Sequence, residues 1–293
     1  MRVPQRNLDQ LAGDGYTVVE DFIAPALLAD AQAALWQIYP RPEEYFAAPD
    51  QYPNLRNSQF AGLRLFPYPS WHLNRLATHA DLVDAAERFL GTSQLEIYKV
   101  ELWAKYAGAI DYDQPHHRDY GNHSLVVPSA DGRGQQLTSF ILLSDVTAAD
   151  APTKIVPLSR ARDIPFVPRE LPFGELFDIE VPILGRAGSL MMYRTDILHR
   201  GSNFTAAGHS RFAMLVDIQA CGWSWAGKMA WPNQALKPSW DEAITRMTPA
   251  QRMLFGFPPV DHDYWQAQTL RDTQARYPAM DMTPYRIAWA ARR

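Results

Sequence analysis

In Pro115-His116-His117-Arg118-Asp119, an imidazole and a carboxylate stand two residues apart. Residues i and i+2 of an extended strand project from one face, so His117 and Asp119 can offer a ring nitrogen and a carboxylate oxygen to one metal ion. His116 alternates to the opposite face and is expected to have a supporting or structural part. A His-x-Asp pair alone is weakly specific, and the third donor narrows the reading. His199 follows the apolar Ile197-Leu198 and precedes Arg200-Gly201-Ser202-Asn203, at a plausible strand end. Two histidines and one carboxylate, with further positions left open, are the ligand set expected of a non-haem Fe(II) oxygenase. Catalytic zinc uses the same ligand types in some hydrolases, but usually from a His-Glu-x-x-His helix, which this chain lacks. Arg211 opens the apolar run Phe212-Ala213-Met214-Leu215-Val216. If it points inward, its planar fork suits a bidentate carboxylate; the plain alternative is a surface arginine at a strand start.

The bulk composition leaves room for such a site and disfavours other classes. The chain has 293 residues, 47% of them hydrophobic, enough for a sizeable core. A net charge of -4, a pI near 6.1 and scattered basic residues argue against nucleic acid or an anionic membrane as the main partner. Cys221 stands alone, so neither a disulfide framework nor a cysteine zinc site is expected, and a cytoplasmic setting suits it. The N-terminus lacks the apolar core of a signal peptide, and no window approaches a membrane span. Nothing in the sequence fixes an oligomeric state.

The elements that must position these residues are mostly strands. Near the start, 16–19 reads as a strand, and apolar residues recur at helical spacing over 25–39 behind Pro25. Residues 40–69 carry no period and are expected to form a long loop. A second helix spans about 80–90 and stops at Gly91. From Leu95 the character changes, and strands are expected near 95–106, 124–127, 137–143, 153–157, 177–181, 189–193 and 211–219. Many short strands without intervening helices favour an antiparallel sandwich or barrel. Beyond Trp223, weak helices near 240–247 and 249–255 suggest an extension packed on the barrel. The organisation is therefore read as one domain over 1–293: a helical part to about 94, a β core over about 95–220, and an extension over about 221–293.

Taken together, these segments resemble the phytanoyl-CoA dioxygenase family of Fe(II)/2-oxoglutarate oxygenases. The resemblance rests on His117-Arg118-Asp119, the block from Ser139 to Thr147 leading to Ala151-Pro152, and Ile155 to Arg160. It continues through Gly188-Ser189-Leu190, His199-Arg200-Gly201-Ser202-Asn203 and Arg211, with Gly15-Tyr16 and the Pro25 helix at the opening. It implies a mainly β fold with flanking helices around a double-stranded β-helix, the jelly-roll or cupin-like core. It further implies iron held by His117, Asp119 and His199, and the distal carboxylate of 2-oxoglutarate held by Arg211 with help from Ser202. Where the family commonly has Glu-Asn-Gly-Pro, this chain has Ala149-Asp150-Ala151-Pro152, and Leu158-Ser159-Arg160 replaces Pro-Gly-Ser-His. Those departures fall in a structural turn and leave the metal set intact. The retained Asp119 argues against halogenation, because related halogenases put a small residue there.

The implied reaction consumes O2 and 2-oxoglutarate, releases succinate and CO2, and hydroxylates a C–H bond of a small molecule. Desaturation, epimerisation and cyclisation use the same site and stay open, as does a non-catalytic jelly-roll that only binds a ligand. Lys105, Tyr106, Tyr120, His123 and Thr138 flank the motif and are candidates for contact with cosubstrate or substrate. Trp223, Trp225 and Trp231 can wall a pocket, though packing of the extension is the simpler role. Asp261-His262-Asp263 has no third ligand and is set aside.

Overall fold

The structure is a computed structural model, and it describes residues 2–292 except 111, 120–122, 124, 126, 128, 130, 131, 133, 167–170, 224–228, 230, 235 and 236. Helix α1 (Gln5–Asp14) ends on Gly15, whose left-handed φ of 85° lets its N–H close back on Leu11. Strand β1 (Tyr16–Val19) follows, then α2 (Pro25–Leu35) with proline in its first turn. The segment 40–69 is not a plain loop: it holds the short helix α3 (Pro42–Ala47) and an edge strand, β2 (Leu63–Leu65). Helices α4 (Trp71–Ala77) and α5 (Ala80–Leu90) come next, α5 closing on Gly91.

The remaining strands are β3 (Leu95–Tyr106), β4 (Gln136–Leu142), β5 (Thr153–Val156), β6 (Val181–Pro182), β7 (Leu190–Arg194), β8 (Leu198–Gly201) and β9 (Ser210–Ala220). They form a six-stranded antiparallel sheet ordered β1-β7-β4-β9-β3-β2 and a three-stranded one ordered β6-β5-β8. The fold is thus mainly β with flanking helices, as expected of a jelly-roll.

Alternation along the large sheet separates two environments. Val100, Leu102, Ala104 and Tyr106 of β3, Leu137 and Ile141 of β4, and Phe212, Met214, Val216 and Ile218 of β9 join the helices in one apolar core. The opposite face turns Lys99, Glu101, Trp103, Lys105, Phe140, Arg211 and Leu215 toward a cavity.

Two strand expectations fail. Of 124–127, the described residues Leu125 and Val127 lie in no strand. Over 177–181 the chain forms successive turns, with Ile179 N–H bonded to Leu176 and strand pairing starting only at Val181. Leu176 and Ile179, three residues apart, pack with Val156 and Leu198, so the apolarity of this stretch serves a turn cluster rather than a pleat.

Past the barrel come α6 (Pro238–Arg246), α7 (Pro249–Met253), α8 (Ala267–Arg276) and α9 (Thr283–Ala291). Trp231, Trp240 and Phe255 pack around Phe66, and the Trp231 indole donates to the Ile97 carbonyl. Trp231 is therefore a packing residue, while Trp225 lies outside the described residues. Among the described residues no helix is long and apolar enough to cross a membrane.

Candidate active site

The backbone of β8 places His199, and His117 is brought to it by pairing. The two residues exchange both backbone hydrogen bonds, each 3.0 Å, so their side chains emerge side by side with ring centroids 4.5 Å apart. Asp119 lies in the turn that follows, not in a strand with His117. Each histidine has its Nδ1 beside a carbonyl two residues back: 2.9 Å to Pro115 for His117, and 3.2 Å to Ile197 for His199. That fixes the tautomer and aims Nε2 at the shared space, the usual preparation of a metal-binding imidazole.

Asp119 Oδ1 lies 3.8 Å from His117 Nε2 and Oδ2 lies 3.5 Å from His199 Nε2. Two donors each about 2.1 Å from one ion are at most about 4.2 Å apart, so both edges fit a common metal. All three donor atoms lie within 4.8 Å of one another, and this is the one such group among the described residues. The Tyr193 hydroxyl donates to Asp119 Oδ2 at 3.0 Å and sits 3.4 Å from His199 Nε2. Burial alone would raise the Asp119 pKa, but His199, His123, Lys99 and His117 together carry it down to about 2. Burial lowers His199 to about 4 against the pull of Asp119. Both groups are thus held in the forms that donate lone pairs to a cation.

The triad opens on a cavity of about 240 Å³ that Arg211 and Lys105 also line. These two are cross-strand partners on β9 and β3. Burial, aided by the Arg211 charge, drops Lys105 to about 7, and burial drops Arg211 to about 10. Arg211 donates to the Ala151 carbonyl, and among the described residues neither cation is hydrogen-bonded to a carboxylate. Gln114 Oε1 accepts from Gly201 N–H at 2.8 Å beside them.

The other flanking candidates are scattered. Ser202 is buried, donates to Pro152 O at 2.7 Å, and lines an adjoining crevice with Lys105 rather than the metal cavity. Thr138 is fully buried on the inward face of β4, opposite Asp217, and does not line the cavity. Tyr106 faces the apolar core, where it stacks on Tyr45. His123 lines the cavity, and Tyr120 lies outside the described residues. His116 does face away from the triad, meeting Glu180 at 3.0 Å.

Three further groups carry little mark in the sequence. Tyr193 lay in an expected strand with no polar signal to mark it. Lys99, Glu101 and Asp217 form a charged row on the inward face: Lys99 Nζ is 3.1 Å from Asp217, 3.8 Å from Glu101 and 3.0 Å from His123 Nε2. Behind the triad, buried Arg200 grips Glu180 through Nε and Nη2 at 2.7 and 2.8 Å, reaches Asp113 at 2.7 Å, and covers the Phe177 ring at 4.0 Å. This fork locks the strand position next to His199. Its position directly after His199 is its only trace in the sequence.

Comparison with known proteins follows the same lines. The family model described as phytanoyl-CoA dioxygenase matches residues 11–213, more than half of the chain. A search of curated proteins finds no match. Among solved structures, the non-haem alpha-ketoglutarate-dependent carbocyclase SnoK from nogalamycin biosynthesis is similar at 16% identity and a TM-score of 0.55, covering 80% of this chain and 90% of that one. EctD from S. alaskensis gives 19%, 0.52, 78% and 82%, and AviO1 from Streptomyces viridochromogenes Tue57 gives 15%, 0.53, 77% and 99%. At such identities these likenesses show the fold. With the family model matched over 11–213, a span that includes His117, Asp119, His199 and Arg211, the chain belongs to the phytanoyl-CoA dioxygenase family of Fe(II)/2-oxoglutarate-dependent oxygenases.

Proposed function

We propose that this chain hydroxylates a C–H bond of a small molecule, with His117, Asp119 and His199 holding Fe(II) and with Arg211 and Lys105 holding the distal carboxylate of 2-oxoglutarate. The observation that carries the reading is the juxtaposition, in one cavity, of three prepared metal donors with the buried Arg211 and the half-buried Lys105, neither of them hydrogen-bonded to a carboxylate among the described residues. A buried unpaired cation is costly, and a dicarboxylate that meets both iron and these cations removes that cost while fixing its own orientation. Bound iron and 2-oxoglutarate supply the activation of O2, with loss of CO2 and succinate. The protein's part is positional. The Nδ1 contacts hold both imidazoles, Tyr193 holds the carboxylate, and the inward faces of β3, β4 and β9 wall the reacting volume. Asp119 fills the ligand position that a halide would need, which favours hydroxylation over halogenation.

Anaerobic titration of the protein with Fe(II) and 2-oxoglutarate tests this. A weak visible charge-transfer band is expected. His199→Ala removes iron binding, while Arg211→Ala keeps iron and weakens 2-oxoglutarate. A folded protein that shows no band sinks the assignment, and equal effects of the two variants make Arg211 structural.

A further inference from the structure

We propose that Glu101, with the Phe60 and Trp103 rings beside it, is the specificity-determining end of this cavity, receiving a hydrogen-bond-donating head group, ammonium or hydroxyl, of a substrate whose carbon skeleton lies against those rings. The proposal rests on the reading of the triad as the reacting centre, and it adds the substrate class.

The two ends of the cavity differ in charge. At one, Lys105 and Arg211 await an anion. At the other, two carboxylates, Glu101 and Asp217, share one ammonium, Lys99, which sits nearer the fully buried Asp217 at 3.1 Å than Glu101 at 3.8 Å. Glu101 is therefore only partly neutralised. Among the described residues its contacts, from Lys99 and from the Trp103 indole N–H at 3.0 Å, both fall on Oε2. Oε1 is left for the cavity that Glu101 lines, and a carboxylate oxygen can only accept.

The apolar surface is adjacent. Phe60 is half exposed and meets Trp103 edge-on at 5.8 Å, while Leu63 and Leu215 line the same space. A ligand anchored at Glu101 thus has rings on one side and the metal donors on another. A plain hydrocarbon chain there would strip water from Glu101 and Lys99 and return no hydrogen bond, so the wall selects against it.

The test uses the full-length protein, alone and with Zn(II) and 2-oxoglutarate, and three probes of one shape: cyclohexylmethylamine, cyclohexylmethanol and the methyl ether of that alcohol. Affinities are read by ligand-observed NMR. The two donors are expected to bind about tenfold tighter than the ether, which has no donor, as one hydrogen bond to a charged group requires. An amine tighter than the alcohol assigns the head group as ammonium, and parity assigns it as hydroxyl. Glu101→Met, which removes both acceptor oxygens at similar length, should reduce the donor preference to within about twofold. Phe60→Ala, at a half-exposed position that leaves folding intact, should weaken all three probes alike and keep the preference. Equal binding of the ether, a preference that survives Glu101→Met, or no effect of Phe60→Ala overturns the proposal. A donor preference in a protein that never forms the Fe(II)/2-oxoglutarate band would instead remove the oxygenase reading alone.

Discussion

Tyr193→Phe isolates one hydroxyl with little other change. The ring stays stacked beside Phe140, with a centroid separation of 6.1 Å, and close to His199 at 4.8 Å. What is lost is the 3.0 Å bond to Asp119 Oδ2. A hydrogen bond to an ionised group contributes about 1.5–3 kcal/mol. The Asp119 side chain is 13% exposed, so water can replace part of the bond, and the lower end of that range applies. A loss of about 1.5 kcal/mol is roughly tenfold in metal affinity, within the 10–100-fold common for partners that orient a ligand. Competition against a chromophoric chelator, with Fe(II) under anaerobic conditions or with Zn(II), measures it directly. The reasoning is refuted if the variant binds metal as well as the parent or better. The hydroxyl also stands 3.4 Å from His199 Nε2, and tighter binding would mean that it occupies the ion's place rather than steadying the carboxylate.

Other outcomes follow from the cationic end and the turn behind it. Lys105 titrates near 7 in the fold against an ordinary 10.5, so its depressed value costs stability below pH 7, and that cost fades as pH rises from about 7 toward 10.5. Binding of 2-oxoglutarate restores the charge, so close to one proton should be taken up per site at pH 8; calorimetry in two buffers of different ionisation heat reads it, and zero uptake removes Lys105 from the site. A Cβ at Gly201 would stand 2.9 Å from Gln114 Oε1 and 3.6 Å from Lys105 Nζ. Gly201→Ala should therefore raise the KM for 2-oxoglutarate about tenfold while moving the melting temperature by only about 3 °C, because the crowded atoms are side-chain ends that can shift. Ala151 has a left-handed φ of 52°, which a β-branched residue resists. Ala151→Val should cost more than the roughly 1–2 kcal/mol of an ordinary left-handed residue and weaken 2-oxoglutarate binding through Arg211; a variant of unchanged melting temperature contradicts this.

The elements around the site were legible where apolar runs were long, as in β9, or where glycine punctuates them, as Gly15 does before β1 and Gly91 after α5. The route by which His117 and Asp119 meet was not. They do not share a strand face; His117 is placed by its pairing with His199, eighty-two positions away, which no local period reveals. The charged row of β3 was harder still. Lys99, Glu101, Trp103 and Lys105 alternate with Val100, Leu102, Ala104 and Tyr106, a pattern that ordinarily marks one face toward water and one toward the core. Here the polar face points into the barrel and the apolar face meets the helices. Alternation alone cannot distinguish a solvated face from a wet catalytic interior, because both need hydrogen-bonding side chains.

The same limit explains why the turn at 149–152 looked separable from the site. Asp150 accepts from Thr147 N–H at 2.8 Å and faces His209 Nδ1 at 2.6 Å, which fixes the turn. The turn then puts the Ala151 carbonyl against the Arg211 guanidinium. A position commonly glycine in the family thus carries alanine in a conformation that glycine adopts at less cost, at the very residue that orients the proposed cosubstrate clamp. Because the group that accepts from Arg211 is the backbone carbonyl, the conformation of the turn, and not the side chain at 151, sets where the guanidinium is anchored.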